Sequence, residues 1–282
     1  MAQRETQRLQ EPIDARTRDV RARTGGLYTR DIGHGEAIVL IHDFPLNGRM
    51  WQEQIHALQY RYRLVAPDLS GFGLTPVLAP EISLSDHARS VLKMINALAI
   101  ERVTVVGLSM GSFVALHLVQ ELGARLQGLL LASTRISSDP PDVARWRHEL
   151  AAEIESTGVE VAADEFVPKL LGRRTQQNHP ESLDFLRLMI RENTATGMAA
   201  MLRAMAARPD PSAVLRRIHC PVLCVAGEED HLTPTREMQL LAEQIPGALT
   251  QTIPDAGHLT NVEAPEAFND ALTRLMAECT AA

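Results

Sequence analysis

Predominantly apolar runs recur along the chain at AIVLI (37–41), which is unbroken, and at RLVAP (63–67), VTVV (103–106), LQGLLLA (126–132) and PVLCVAG (221–227). A strand with one wet face alternates apolar and polar side chains. A continuous run instead predicts a strand buried on both faces, as in a parallel sheet covered by helices. Between these runs the period changes. Trp51 to Leu58 reads as a helix, and Ser85 is placed to cap an amphipathic helix with apolar positions at Ala88, Val91, Leu92, Ile95 and Leu98. VTVVGLSMGSFVALHLVQEL turns from strand to helix within five residues. Further strands are predicted at Val20 to Arg23, Leu27 to Ile32 and LTQTIP (249–254), and further helices at Pro234 to Ile245 and Pro265 to Cys279. Strands alternating with helices predict an α/β fold: a mostly parallel central sheet with flanking helices.

The alternation breaks between Thr134 and Ile218. Three helical stripes stand there: Val143, Trp146, Leu150 and Ile154; Leu183, Leu186 and Ile190; and Met198, Met201, Leu202 and Met205. A simple crossover needs only about a dozen residues, so an inserted helical cap is predicted. The expected organisation is a polar arm over 1–19, an α/β core over 20–134 and 212–282, and a cap over 135–211.

Composition narrows the partners. The chain has 282 residues and a formal net charge of −7, which gives no basis for nucleic-acid or anionic-membrane binding. The first 23 residues mix six arginines with four acids and hold no apolar segment, so no signal peptide or membrane span is read there. Cys220, Cys224 and Cys279 are odd in number and lack metal-ligand spacing, which suits a reducing cytoplasm and implies no metal. A homodimer contact is a role open to the polar arm, although an unstructured arm is the plainer expectation.

The chemistry centres on GLSMG, Gly107 to Gly111, which matches G-x-S-x-G between a strand and a helix. That context predicts a strained turn that lifts Ser109 above the sheet at a helix N-terminus, where developing negative charge is favoured. A serine nucleophile needs a base, and the base needs an orienting acid; in this topology they follow in the order Ser, acid, His. Asp230 after PVLCVAGEE and His258 in DAGH both fall past strand ends, at the carboxyl edge of the sheet. Glu228 and Glu229 compete for the acid's place, and Asp230 is preferred as the residue furthest beyond its strand.

The ordered set of His42 to Pro45, PDLSGFG (67–73), GLSMG, GEED and AGHLTNVEAPEAFN resembles the α/β-hydrolase superfamily from about Val20 onward. GLSMG together with the last motif is similar to the serine esterase and 3-oxoadipate enol-lactonase-like branch, whereas the HDFP loop differs from that of the enol-lactonases. The resemblance implies the α/β-hydrolase fold, Ser109 as nucleophile, His258 as base and Asp230 as its orienter. It also implies a cap over an apolar pocket, an oxyanion hole formed by the backbone N–H groups of Phe44 and Met110, and no cofactor. Serine at the nucleophile position sets the chain apart from dehalogenases and epoxide hydrolases of similar pattern, which carry Asp. The expected partner is a small-molecule ester or lactone. Perhydrolysis, C–C hydrolysis and ligand binding with slow turnover are the alternatives. Trp146 and the cap methionines are candidates for lining the pocket, with cap-to-core burial as the plain alternative.

Asp43 stands where this family commonly has glycine. Asp tolerates positive φ and bonds its own backbone, so a loop-shaping role is the plainer expectation. The sharper one brings the carboxylate into the pocket, where it must be neutral, paired or turned away from a developing oxyanion.

Overall fold

The computed structural model describes residues 26–135 and 137–281; the predicted strand at Val20 to Arg23 and the polar arm lie outside them. Strands β1 (Thr29–Gly33), β2 (Ala37–Ile41), β3 (Arg63–Pro67), β4 (Val103–Leu108), β5 (Leu126–Ala132), β6 (Val222–Gly227) and β7 (Leu249–Ile253) form one sheet in the order β1-β3-β2-β4-β5-β6-β7. Only β1 runs antiparallel to its neighbour; every other pairing is parallel. The apolar runs explain this arrangement. All residues of β2, β4 and β6 are buried, whereas the edge strand β7 exposes most of its length.

Helices α1 (Gln52–Leu58), α2 (Leu84–Ala97), α3 (Met110–Leu122), α10 (Thr235–Glu243), α11 (Thr260–Glu263) and α12 (Pro265–Ala281) belong to the sheet-forming parts of the chain. The cap of α2 corrects the sequence expectation: the N-cap is Ser83, not Ser85. Ser83 Oγ accepts the Asp86 N–H, and the Asp86 carboxylate accepts the Ser83 N–H. Asp86 stands three residues after Ser83, so this pair satisfies two orphan amides reciprocally, which Ser85 has no partner to do.

Between β5 and β6 the regular elements among the described residues are all helices: α4 (Pro141–Thr157), α5 (Glu160–Leu170), α6 (Arg173–Asn178), α7 (Glu181–Arg191), α8 (Ala195–Ala206) and the short α9 (Ser212–Leu215). Met198 and Met201 of α8 are fully buried, with α8 lying along α4. This segment is tied to the loop after β2. Asn193 Nδ2 donates to the Pro45 carbonyl at 2.7 Å, and Asn47 Nδ2 donates to Glu192 Oε2 at 3.0 Å. The loop after β3 meets it through glycines: a Cβ on Gly71 (φ +82°) would lie 2.4 Å from Gly197 Cα. That loop is fixed from behind by the buried Arg30–Asp68 ion pair, whose carboxylate also accepts the N–H groups of Gly48 and Leu74. Three segments distant in sequence therefore converge above the carboxyl ends of β2, β3 and β4.

Candidate active site

The turn between β4 and α3 has the strained geometry its glycines predict. Ser109 sits at φ 51°, ψ −109°, a conformation costly for a residue with a Cβ. A Cβ on Gly111 would lie 2.2 Å from the Ile41 carbonyl oxygen, so only glycine lets the helix start this close to β2. The Ser109 N–H donates to the Ala132 carbonyl at 2.8 Å, and Ser112 Oγ donates back to the Gly107 carbonyl at 2.8 Å. Ser112 thus ties the helix to the strand it follows.

Past β6, Asp230 Oδ1 accepts the N–H groups of Leu232 and Thr233 at 2.9 and 2.8 Å, which leaves Oδ2 to meet His258 Nδ1 at 2.9 Å. Both side chains are buried. Burial alone would raise the Asp230 pKa, but His258 and the two amides outweigh it and hold the group below its ordinary value. Glu228 and Glu229 are turned elsewhere, accepting the N–H groups of Asp255 and Arg174.

Asp43 departs from the plainer expectation. It is absent from the residues with positive φ, so the loop does not require its conformational tolerance. Its carboxylate instead points into the site: Oδ1 accepts the Met110 N–H at 3.2 Å, and Oδ2 lies 3.4 Å from His258 Nε2. The backbone around it is held firmly. The Asp43 carbonyl accepts the Leu46 N–H and pairs with His42 Nδ1, each at 3.0 Å. His42 Nε2 accepts the Leu69 N–H at 3.0 Å, so the ring proton resides on Nδ1 and is donated to Asp43. Burial lowers the His42 pKa, in keeping with a neutral ring. His258 is the opposite case. Burial opposes its charged form, but Asp230 and Asp43 together push its pKa up to about 10.

A cavity of about 250 Å³ joins these groups. Ser109, His258, Asp43 and Phe44 border it on the sheet side, and Trp146, Phe166 and Met205 border it from the helical segment. Phe44 packs edge-on against Phe166, and Trp146 also packs against Phe166. Trp146 thus lines the cavity as well as packing. Phe72 lies against His42 and Phe44 and supports the loop.

Sequence reading missed three contributors. Phe113 and Arg135 border this cavity and also a second one of about 220 Å³ beside Leu84, Leu116 and Val214. Glu263 accepts the N–H of Gly257, next to His258, at 2.9 Å and that of Gly172 in the helical segment at 2.7 Å. The only sequence signal for it was a carboxylate five residues past the histidine.

The profile of the alpha/beta hydrolase family matches residues 38–271, most of the chain and all of the groups just described. The chain belongs to the alpha/beta hydrolase family. Within that family it falls on the enol-lactonase-like branch. It is 30% identical to the 3-oxoadipate enol-lactonase 1 of Acinetobacter baylyi over 240 residues, covering 82% of this chain and 85% of the relative. Among solved structures, a thermophilic esterase from Thermogutta terrifontis superposes with a TM-score of 0.87 at 34% identity, over 90% of this chain and 93% of the esterase. The enol-lactonase from Burkholderia xenovorans LB400 superposes with a TM-score of 0.83 at 25% identity, over 89% of this chain and 96% of that one. No helix among the described residues of this alpha/beta hydrolase is long and apolar enough to cross a membrane.

Proposed function

We propose that this alpha/beta hydrolase cleaves small carboxylic esters or lactones by a serine mechanism that passes through an acyl-enzyme. Its similarity to an esterase and to enol-lactonases supports carboxylic-ester hydrolysis. The observation that carries the mechanism is the placement of Ser109 on a strained turn in the same cavity as a histidine already paired with a buried carboxylate. In this reading Ser109 Oγ attacks the acyl carbon and His258 Nε2 takes the serine proton. Asp230 holds the ring in orientation and stabilises the imidazolium that forms. The N–H groups of Met110 and Phe44 receive the oxyanion, a contribution of about 3–4 kcal/mol per donor to the transition state. His258 then returns the proton to the leaving oxygen and activates water for deacylation.

The helices between β5 and β6 act as the cap in this reading. They contribute Trp146, Phe166 and Met205 to an apolar wall, which suits the short acyl part of an ester. Arg135 and Arg147 border the same cavity, so weakly acidic substrates are accommodated as well as neutral ones. The protein works as a soluble cytoplasmic enzyme without a cofactor. The test is turnover of p-nitrophenyl acetate and butanoate and of a five-membered lactone, beside Ser109→Ala. Turnover abolished by the substitution supports the proposal. Equal rates in both proteins, or none in either, would sink it.

A further inference from the structure

The Asp43 carboxylate, 1% exposed, occupies two positions that hydrolysis requires to be open. One oxygen sits on the Met110 N–H, the donor that would face an oxyanion, and the other faces His258 Nε2, the atom that must take the serine proton. This is the arrangement of a carboxylic acid product at the end of deacylation. There the former carbonyl oxygen rests on the hole and the oxygen delivered from water lies beside the imidazole. The backbone gives Asp43 little freedom to be elsewhere. Its carbonyl accepts from Leu46 and His42, and its N–H points at Met50 Sδ at 3.2 Å. Only the side-chain torsions remain to move the carboxylate.

We infer that Asp43 is a built-in competitor for the acyl site: its carboxylate imitates the acid product, and an ester binds only after that carboxylate has left Met110 and His258. This rests on the reading of Ser109 as nucleophile. No covalent step is added. The resting site sets a protonated His258 Nε2 3.4 Å from the Asp43 carboxylate, and Ser109 can be deprotonated only by a neutral ring, so that proton passes to solvent as the carboxylate withdraws. When acid product forms, Asp43 competes for the same donors and favours its release. The charged and titratable groups around the pair are Asp230 on the far side of His258, the neutral His42, Arg135 and Arg147 on the cavity wall, and the Arg30–Asp68 pair behind His42. Among the described residues no carboxylate other than Asp43 reaches His258 Nε2, and it is this carboxylate that separates the imidazole from that of a plain Ser-His-Asp site. The raised pKa of His258 accords with it.

The test compares wild type, Asp43→Asn and Asp43→Gly. Three readouts apply: NMR titration of the His258 ring, the pH profile of kcat/KM with p-nitrophenyl acetate, and inhibition by acetate. In Asp43→Asn the His258 midpoint falls by about one pH unit or more, and the acid limb of kcat/KM follows it. KM for the ester falls several-fold in Asp43→Gly, and acetate inhibits that variant more strongly than wild type. Asp43→Asn is nearly isosteric and keeps the readout available if the glycine variant folds poorly. An unchanged His258 midpoint and KM alongside normal turnover overturns the competitor role and leaves the hydrolase reading in place. A shifted midpoint without turnover in any variant overturns the hydrolase reading and the competitor role with it.

Discussion

Phe113 borders both the cavity that holds Ser109 and its neighbour, and its removal should lengthen the acyl chain the enzyme accepts. The residue lies on α3, one helical turn past Ser109, and borders both cavities, of about 250 and 220 Å³. Its ring is held under the Arg208 guanidinium at 4.4 Å. Arg208 is in turn fixed by Asp139 at 2.8 Å and by the Ser137 and Met205 carbonyls, and Asp139 also binds Arg147 Nε at 2.6 Å. The partition is therefore a clamped wall rather than a free side chain. Phe113→Ala joins the catalytic cavity to the apolar surface of Leu84, Leu116 and Val214. Each methylene newly buried contributes about 0.8 kcal/mol, roughly fourfold in kcat/KM. Going from butanoate to octanoate adds four methylenes, about 3 kcal/mol if all are buried. A ratio of octanoate to butanoate activity raised by roughly 10- to 100-fold allows for partial burial. The assay is kcat/KM across p-nitrophenyl acetate to decanoate for both proteins, with circular dichroism confirming the fold. An unchanged chain-length profile in a folded variant would refute the wall assignment.

Two other outcomes follow from the same geometry. Asp230→Asn removes the carboxylate charge facing His258 Nδ1 and favours the wrong tautomer; kcat should drop by about 10⁴ with KM little changed, measured by steady-state kinetics. Glu263 is pushed up to about 7 by burial, against hydrogen bonds from Thr175 and from the amides of Gly172, Gly257 and Leu259. The folded form thus binds this proton more tightly than the unfolded chain. Its stabilising contribution, up to about 3 kcal/mol, is complete below pH 4.5 and is lost as pH rises through 7. Wild-type Tm should therefore fall more steeply between pH 5 and 8 than that of Glu263→Gln, and parallel curves would contradict the assignment.

The fold was largely legible because the runs at β2 and β6 are apolar at every position and that at β4 at all but Thr104, the pattern of a doubly covered sheet. GLSMG, Asp230 and His258 could be placed because their chemistry is tied to strand ends, which local pattern locates. What escaped depends on contacts between distant segments. Ser85 is the serine nearest the apolar stripe, whereas the reciprocal bond that makes Ser83 the cap comes from Asp86, three residues further on. The loop-shaping role expected of Asp43 failed because the direction of a side chain is set by Met110 and His258, 67 and 215 residues away in the chain. Phe113 reads as an ordinary apolar position on α3; only the cavity on each side of it gives it a role.

The central claim is that Ser109 carries the acyl group. Rapid acid quench of the enzyme with p-nitrophenyl acetate, followed by intact-mass and peptide mass spectrometry, tests it directly. The account predicts an acetyl adduct on the peptide containing Ser109, formed within one turnover and absent in Ser109→Ala. Full turnover without an adduct, or an adduct on any other residue, would contradict it.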